Sequence, residues 1–420
     1  MKTTKSISFA LAAMLGITAL SPATPLLATE SSDPVTLTFF HYKNEWTDAF
    51  QDVFDQLEAE KGIKVVQESA SSTVYFETLQ SKLISGEMPD MFQMLVGKSN
   101  FNDWNTECAD LYGEAWCDKV PSSIIDMCDY DGKLLAMPLA LEGYGIIYNK
   151  DLFKQAGIEE IPTTLSELRE DCEKLEAAGI QPFVNAYTDV AHVVRRMFTT
   201  PFARHENGTD FLNSCLENEV DFTTDQAFLN YYDFLDLTME YGNADALTLD
   251  FNTERSSFLN GDAAMVAGEG MWMKSIANNA DIDINMGLFP ILTSDDADLE
   301  NTVFNIPQSF CIYNGSEHVD EAKIALDYML TSDAADKFFE AMGAYPAYSD
   351  SKVNISSLGD LATDFQKYLD EDKTYVMFGP SFPAPVQEVI FGSIQKYLAG
   401  QCDREESLKE ITNSWNTNIG

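Results

Sequence analysis

The sequence predicts an α/β protein, and three observations carry that reading. Val35–Phe40 is a β-branched and aromatic run with strand character, and Ile63–Val66 is a second. Between them Thr47 opens an amphipathic segment with Phe50, Val53, Phe54 and Leu57 on one face, closed by Gly62. That order is a β-α-β unit, which implies a parallel pair joined by a right-handed crossover. The same alternation runs on along the chain. Finally, 45% hydrophobic and 12% aromatic residues over 420 positions can build real cores, and the length fits two domains.

In order, a second helix carries Leu79, Leu83 and Ile84, stops at Gly86, and leads through Pro89-Asp90 into a strand at Met91–Leu95. Leu134–Pro138 and Gly145–Asn149 read as two strands and Ile180–Val184 as another. Thr164 and Glu167 form a capping-box signature, one side chain capping an amide and the other reaching back to a second. Helical spacing recurs over Phe228–Tyr241, Ala322–Met342 and Val386–Leu398, and at Leu408, Ile411 and Trp415. There is no internal repeat and no low-complexity linker. Two lobes without a linker imply that the chain crosses between them more than once.

Residues 1–28 read as an export signal. Lys2 and Lys5 precede an apolar run from Ile7 to Leu20, then Pro22, Pro25 and small residues up to Ala28. The run is short for a membrane span, which needs about 20 apolar residues, so cleavage is favoured over an uncleaved anchor. The formal net charge is −42, from 26 basic and 68 acidic residues; without the two signal lysines it is 24 − 68 = −44. Such a surface repels phosphate backbones and anionic lipids, which excludes nucleic acid as a partner.

Seven cysteines leave at least one thiol unpaired in a monomer, and Cys108–Cys117 is the pair to test first for a disulfide. No CxxC or Cys/His cluster points to a metal, and no cofactor is expected. Nucleophile-elbow, zincin and Walker motifs are absent. Asp281-x-Asp283-x-Asn285 imitates an EF-hand start, but Met286 and Leu292 occupy the glycine and glutamate positions, so it reads as strand.

Several segments together resemble the family 1 extracellular solute-binding proteins of sugar ABC transporters, which are maltodextrin-binding-like. They are Ser85–Asp90, Asp131-Gly-Lys-Leu-Leu-Ala-Met-Pro138, Tyr148-Asn-Lys-Asp-Leu-Phe153 with Ala156-Gly157, Pro162-Thr163 and Leu168, and Phe258-Leu-Asn-Gly261 with Ala264-Met265 and Trp272. They span about residues 33–420. The resemblance implies a two-lobed, type II periplasmic-binding-protein-like fold, each lobe a mixed sheet flanked by helices, with three crossing segments. These fall near Leu141–Gly143, Val303–Gln308 and Gly343–Tyr348. Lobe one is then 33–141 plus 308–344, and lobe two 142–307 plus 345–420. The lipobox cysteine of Gram-positive members has no counterpart before Cys108. The location implied is exported, periplasmic or extracellular and associated with the cell surface, without a lipid anchor to claim.

The function implied is non-enzymatic: a monomer that captures a carbohydrate, an oligosaccharide, between its lobes and delivers it to an ABC permease in the membrane. A sugar needs aromatic faces for its C–H surfaces and polar groups for its hydroxyls. Trp272 matches the family's stacking tryptophan. Glu142 and Tyr144 flank the first crossing. His41, Tyr42, Glu45 and Trp46 lie just past the first strand, where α/β folds place ligands, with Trp46 divided between cleft and core. Gln93 and Glu269 complete the set, and Asn185, Tyr187 and Phe382 are weaker candidates. Two alternatives stand beside this one: a binding protein for a polyamine or other cationic solute, since acidic and aromatic residues make cation sites, and an exported glycosidase with a carboxylate pair.

Overall fold

The computed structural model describes residues 35–71 and 74–418; the export-signal reading at residues 1–28 lies outside them. One ten-stranded mixed sheet runs through the described chain. Its strands are β1 (Val35–His41), β2 (Ile63–Ser69), β3 (Met91–Met94), β4 (Met137–Asn149), β5 (Gln181–Phe183), β6 (Ala263–Gly270), β7 (Met286–Phe289), β8 (Thr302–Ile312), β9 (Tyr345–Pro346) and β10 (Thr374–Val376). Their order is β2-β1-β3-β8-β4-β6-β5, with β7 and β9 also pairing β4 and β10 pairing β8.

The amino-terminal unit forms as its pattern dictates. The helix Thr47–Lys61 buries Phe50, Val53, Phe54 and Leu57 and ends at Gly62, whose φ of 71° is cheap only without a Cβ. Strands β1 and β2 are parallel, Val35 opposite Ile63, and β3 joins the other edge of β1 in parallel. Each large apolar side chain buried this way contributes about 1.5–3 kcal/mol.

Two long strands organise the rest. The first half of β4, from Met137 to Tyr144, pairs β8 from Phe310 back to Val303 and also pairs β9, Tyr345 lying opposite Leu141. The second half of β4 pairs β6 and β7. The first half of β8 takes β10 as a parallel neighbour, and its second half pairs β3. The β4–β8 register shifts between Asn305 and Gln308, around Pro307, which has no amide hydrogen to give the ladder. Both strands thus serve two groups of neighbours, one built on β1–β3 and one on β5–β7. This is a two-lobed α/β architecture.

Several local expectations are corrected. Leu134–Pro138 and Gly145–Asn149 are not two strands, because Met137–Asn149 is continuous; Gly143 and Gly145 sit inside it, where Phe365 and the Phe289 carbonyl leave no room for a Cβ. The helical spacing over 322–342 belongs to two helices, Val319–Thr331 and Asp333–Met342, separated at Ser332, whose side chain caps the second. The segment read as strand at 281–285 is a turn at Asp281, with φ 56°, followed by irregular chain that leads into β7 at Met286. Gly268 and Gly270 lie at the end of strand β6. All seven cysteines are free thiols, and Cys108 neighbours Cys311, not Cys117, because residues 107–109 pair with 312–314. The Thr164 cap forms, with Glu167 reaching back to the Thr163 amide at 2.8 Å.

Candidate ligand-binding cleft

The carboxyl end of β1 opens onto a cleft of about 490 Å3, within the size range of small-ligand sites. One wall carries Lys43, Glu45 and Trp46, backed by Gln308 and residues 340–344. Ala140, Leu141 and Glu142 of β4 form the floor. The opposite wall presents Met271, Trp272, Lys274, Ser275, Asn278 and Asn279, with Ser357–Gly359, Leu361 and Ala362 beside it. The cleft therefore offers two indoles and a rim of amides, hydroxyls and charges.

The first wall is a loop held by hydrogen bonds. The Tyr42 amide donates to Gln93 Oε1 at 3.1 Å, and the Tyr42 hydroxyl donates to the Pro307 carbonyl, also at 3.1 Å. Gln93 Nε2 donates to that same carbonyl, and the Tyr75 hydroxyl, under the Tyr42 ring, donates to the Gln93 carbonyl at 2.8 Å. The Lys43 amide donates to His41 Nδ1, so Nε2 carries the proton facing Gln67. Burial pushes the His41 pKa down and keeps the ring neutral. Trp46 both packs on Phe338 and lines the cleft, with the Lys43 ammonium 5.1 Å from its ring.

The second wall is held by a buried ionic cluster. Trp272 heads the short helix Met273–Asn279, which puts Ser275 and Asn279 on the Trp272 face at three- and four-residue steps. Its ring lies over Gly270, where an added Cβ would be 2.2 Å from Cζ3. Tyr144 meets it edge-on at 4.8 Å and donates its hydroxyl to Glu142 Oε2 at 2.9 Å. Behind the indole, Arg255 grips the fully buried Glu269 with Nε at 2.9 Å and Nη2 at 3.2 Å, and Arg196 Nη1 stands 3.7 Å from the same carboxylate.

Of the nine residues expected at the ligand, the cleft is lined by Trp272, Glu142, Glu45 and Trp46. His41, Tyr42, Gln93, Tyr144 and Glu269 stand behind the lining and hold it. Among the weaker candidates, Asn185, Tyr187 and Phe382 are buried. Sequence reasoning did not single out Lys43, Lys274, Ser275, Asn278, Asn279, Gln308 or Glu340. Continuing the helix from Trp272 would have found Ser275 and Asn279, and Gln308 closes the segment expected to cross.

Among the described residues, one group has metal-ligand composition: His192, Glu254 and Glu269. Its electrostatics oppose a dication, because Arg196 and Arg255 already neutralise Glu269. Burial, and then the nearby Glu269 charge, push the Glu254 carboxyl well above the usual carboxylate range. Burial and the two guanidiniums push His192 down, so it is neutral.

Residues 43–336 match the profile of the bacterial extracellular solute-binding proteins. The "Multiple sugar-binding protein" of Streptococcus mutans is 23% identical over 87% of this chain and 86% of its own length. The ligand-free form of RafE from Streptococcus pneumoniae superposes with a TM-score of 0.80 at 18% identity, covering 93% of this chain and 99% of that one. RafE in complex with raffinose superposes at 0.73 and 19% identity, over 92% and 100%. No helix among the described residues is long and apolar enough to cross a membrane. The match over 43–336 takes in the lining residues Lys43 to Gln308, and by it the chain belongs to the bacterial extracellular solute-binding protein family.

Proposed function

We propose that this chain is the substrate-binding component of an ABC importer, capturing an oligosaccharide in the cleft and delivering it to a membrane permease. The observation that carries the reading is the pairing of Trp46 and Trp272 across one cleft with Glu45, Glu142, Gln308, Asn278 and Asn279 around them. Indoles cover the apolar faces of a sugar, and the polar rim replaces water at its hydroxyls; a hydroxyl left without a partner costs about 1–3 kcal/mol. The sugar-binding relative and the raffinose-bound neighbour support the same ligand class. The working unit is an exported monomer, periplasmic or at the cell surface, with lobes 33–141 plus 308–344 and 142–307 plus 345–420.

The mechanism is capture without chemistry. Trp46 and Trp272 belong to opposite walls, so a ligand touching both gains more in the closed form than in the open one. Only that difference in affinity shifts the population toward closure. A second reading, a cationic solute, draws on the net charge of −42 and on the rim carboxylates Glu45, Glu142 and Glu340. Calorimetric titration with raffinose, stachyose, malto-, xylo- and chito-oligosaccharides and with spermidine separates the two. Binding of a saccharide that is recovered intact supports the proposal. Binding of spermidine alone replaces it, and recovery of hydrolysed sugar would make the chain a glycosidase.

A further inference from the structure

We infer that Arg196 and Arg255 are specificity determinants: their guanidiniums back the Trp272 indole, keep cationic groups off it, and reserve it for neutral or anionic sugar units. This rests on the saccharide reading above. The two guanidinium carbons lie 4.8 and 5.6 Å from the Trp272 centroid, and neither arginine lines the cleft. They therefore cover the ring from the protein side. Arg196 rides on the π-helical segment Ala191–Met197, a form of helix common where function demands it. Arg255 comes from the helix Phe251–Leu259, and its guanidinium sits 3.9 Å from the Phe251 ring centre.

The charge balance of the cluster decides the sign. Two guanidiniums share one close carboxylate, Glu269, which is fully buried. Glu254 is 1% exposed, leaves Oε2 without a partner, and faces the Glu269 charge, which together favour its neutral form. The set is thus net positive behind the ring. An indole already polarised by a cation has less π density to offer a second one, and the two cations also repel. A neutral sugar face, held by dispersion and burial of C–H surface, loses little.

The opposing effect comes from Glu45, Glu142 and Glu340 at the cleft, with Lys43 and Lys274 among them. Lys43 stands 3.5 Å from Glu45, whose side chain is 62% exposed, so solvent and salt screen this pair. The guanidiniums lie within 6 Å of the Trp272 centroid on side chains only 19% and 18% exposed, so water screens them less, and they dominate at the Trp272 face.

Fluorescence quenching tests this without knowing the ligand. The Trp272 component is the difference between the full chain and its Trp272→Phe variant, measured with iodide and with caesium. With each constant divided by that of free N-acetyltryptophanamide under the same salt, the expected iodide-to-caesium ratio is at least about three, falling toward one in Arg196→Met. Arg196 makes the longer approach to Glu269, so its removal leaves the Arg255 pair intact. Should Arg196→Met fail to fold, Arg196→Gln, which removes the same charge and keeps a polar head, replaces it. Caesium quenching equal to or stronger than iodide, or a ratio unchanged in the variants, overturns the inference. The saccharide reading is scored separately by raffinose and oligosaccharide titration of the same proteins.

Discussion

The two walls of the cleft present the same kind of surface, an indole among polar groups, but they are built by different means. The wall at Trp46 is a loop tied down by neutral hydrogen bonds that converge on Gln93 and the Pro307 carbonyl. The wall at Trp272 rests on a buried carboxylate and two arginines. Neutral bonds of the first kind are each worth about 1 kcal/mol and vary little with pH or salt. A buried ionic cluster is stiffer, but breaking one partner leaves a charge stranded at about 3–5 kcal/mol. The first wall is therefore expected to yield gradually to substitution, the second abruptly.

Substitutions sharpen or break that contrast. Trp272→Ala is expected to have the largest effect on binding, a loss of about 2–4 kcal/mol in saccharide affinity by calorimetry, with a small change in melting temperature because the ring is only half-buried. Next comes Gly270→Ala. The new methyl cannot share space with Cζ3, so the ring must swing away and affinity falls about tenfold. Gln93→Ala acts on the other wall, leaving the Tyr42 amide without its acceptor while the Tyr42 hydroxyl still serves the Pro307 carbonyl. Urea unfolding should register about 1–2 kcal/mol of lost stability and a smaller loss of affinity. Equal sensitivity of affinity to Gln93→Ala and Gly270→Ala would erase the distinction between the walls.

The smallest effect is on pH dependence. The Glu254 carboxyl is raised above its ordinary value of 4.5, first by burial and then by Glu269. Such a group contributes its full stability below 4.5 and loses it as pH rises toward the folded value. Glu254→Gln cannot ionise and keeps an acceptor for the Ala186 amide. Its stability relative to the parent chain should therefore climb as pH rises above about 4.5, read as melting temperature against pH. A gap that stays constant would mean that Glu254 is not held neutral by the cluster.

The sequence was most legible where local pattern and global fold agree. The β-α-β start, the Thr164 cap and the ends of the helix at Thr47 were visible because apolar spacing and capping residues act within a few positions. The continuity of β4 was not, since Gly143 and Gly145 look like breaks until the Phe365 ring and the Phe289 carbonyl explain why a side chain is excluded there. Four of the candidates line the cleft: Trp272 from a quoted motif, Glu142 from the first crossing, and Glu45 and Trp46 from their place just past the first strand. The division between lining and backing residues was hidden. His41 and Gln93 have the chemistry of ligand contacts, and only three-dimensional packing turns their polar atoms toward Gln67, Tyr42 and Pro307. Likewise nothing in one dimension joins Arg196, Arg255 and Glu269 behind an indole.

Amide hydrogen exchange with and without a saturating saccharide tests the central claim most directly. Ligand should slow exchange in both walls at once, over residues 41–47 and 271–280, and Trp272→Ala should abolish both effects. Protection confined to one wall, or unchanged by Trp272→Ala, would contradict capture of one ligand between the two.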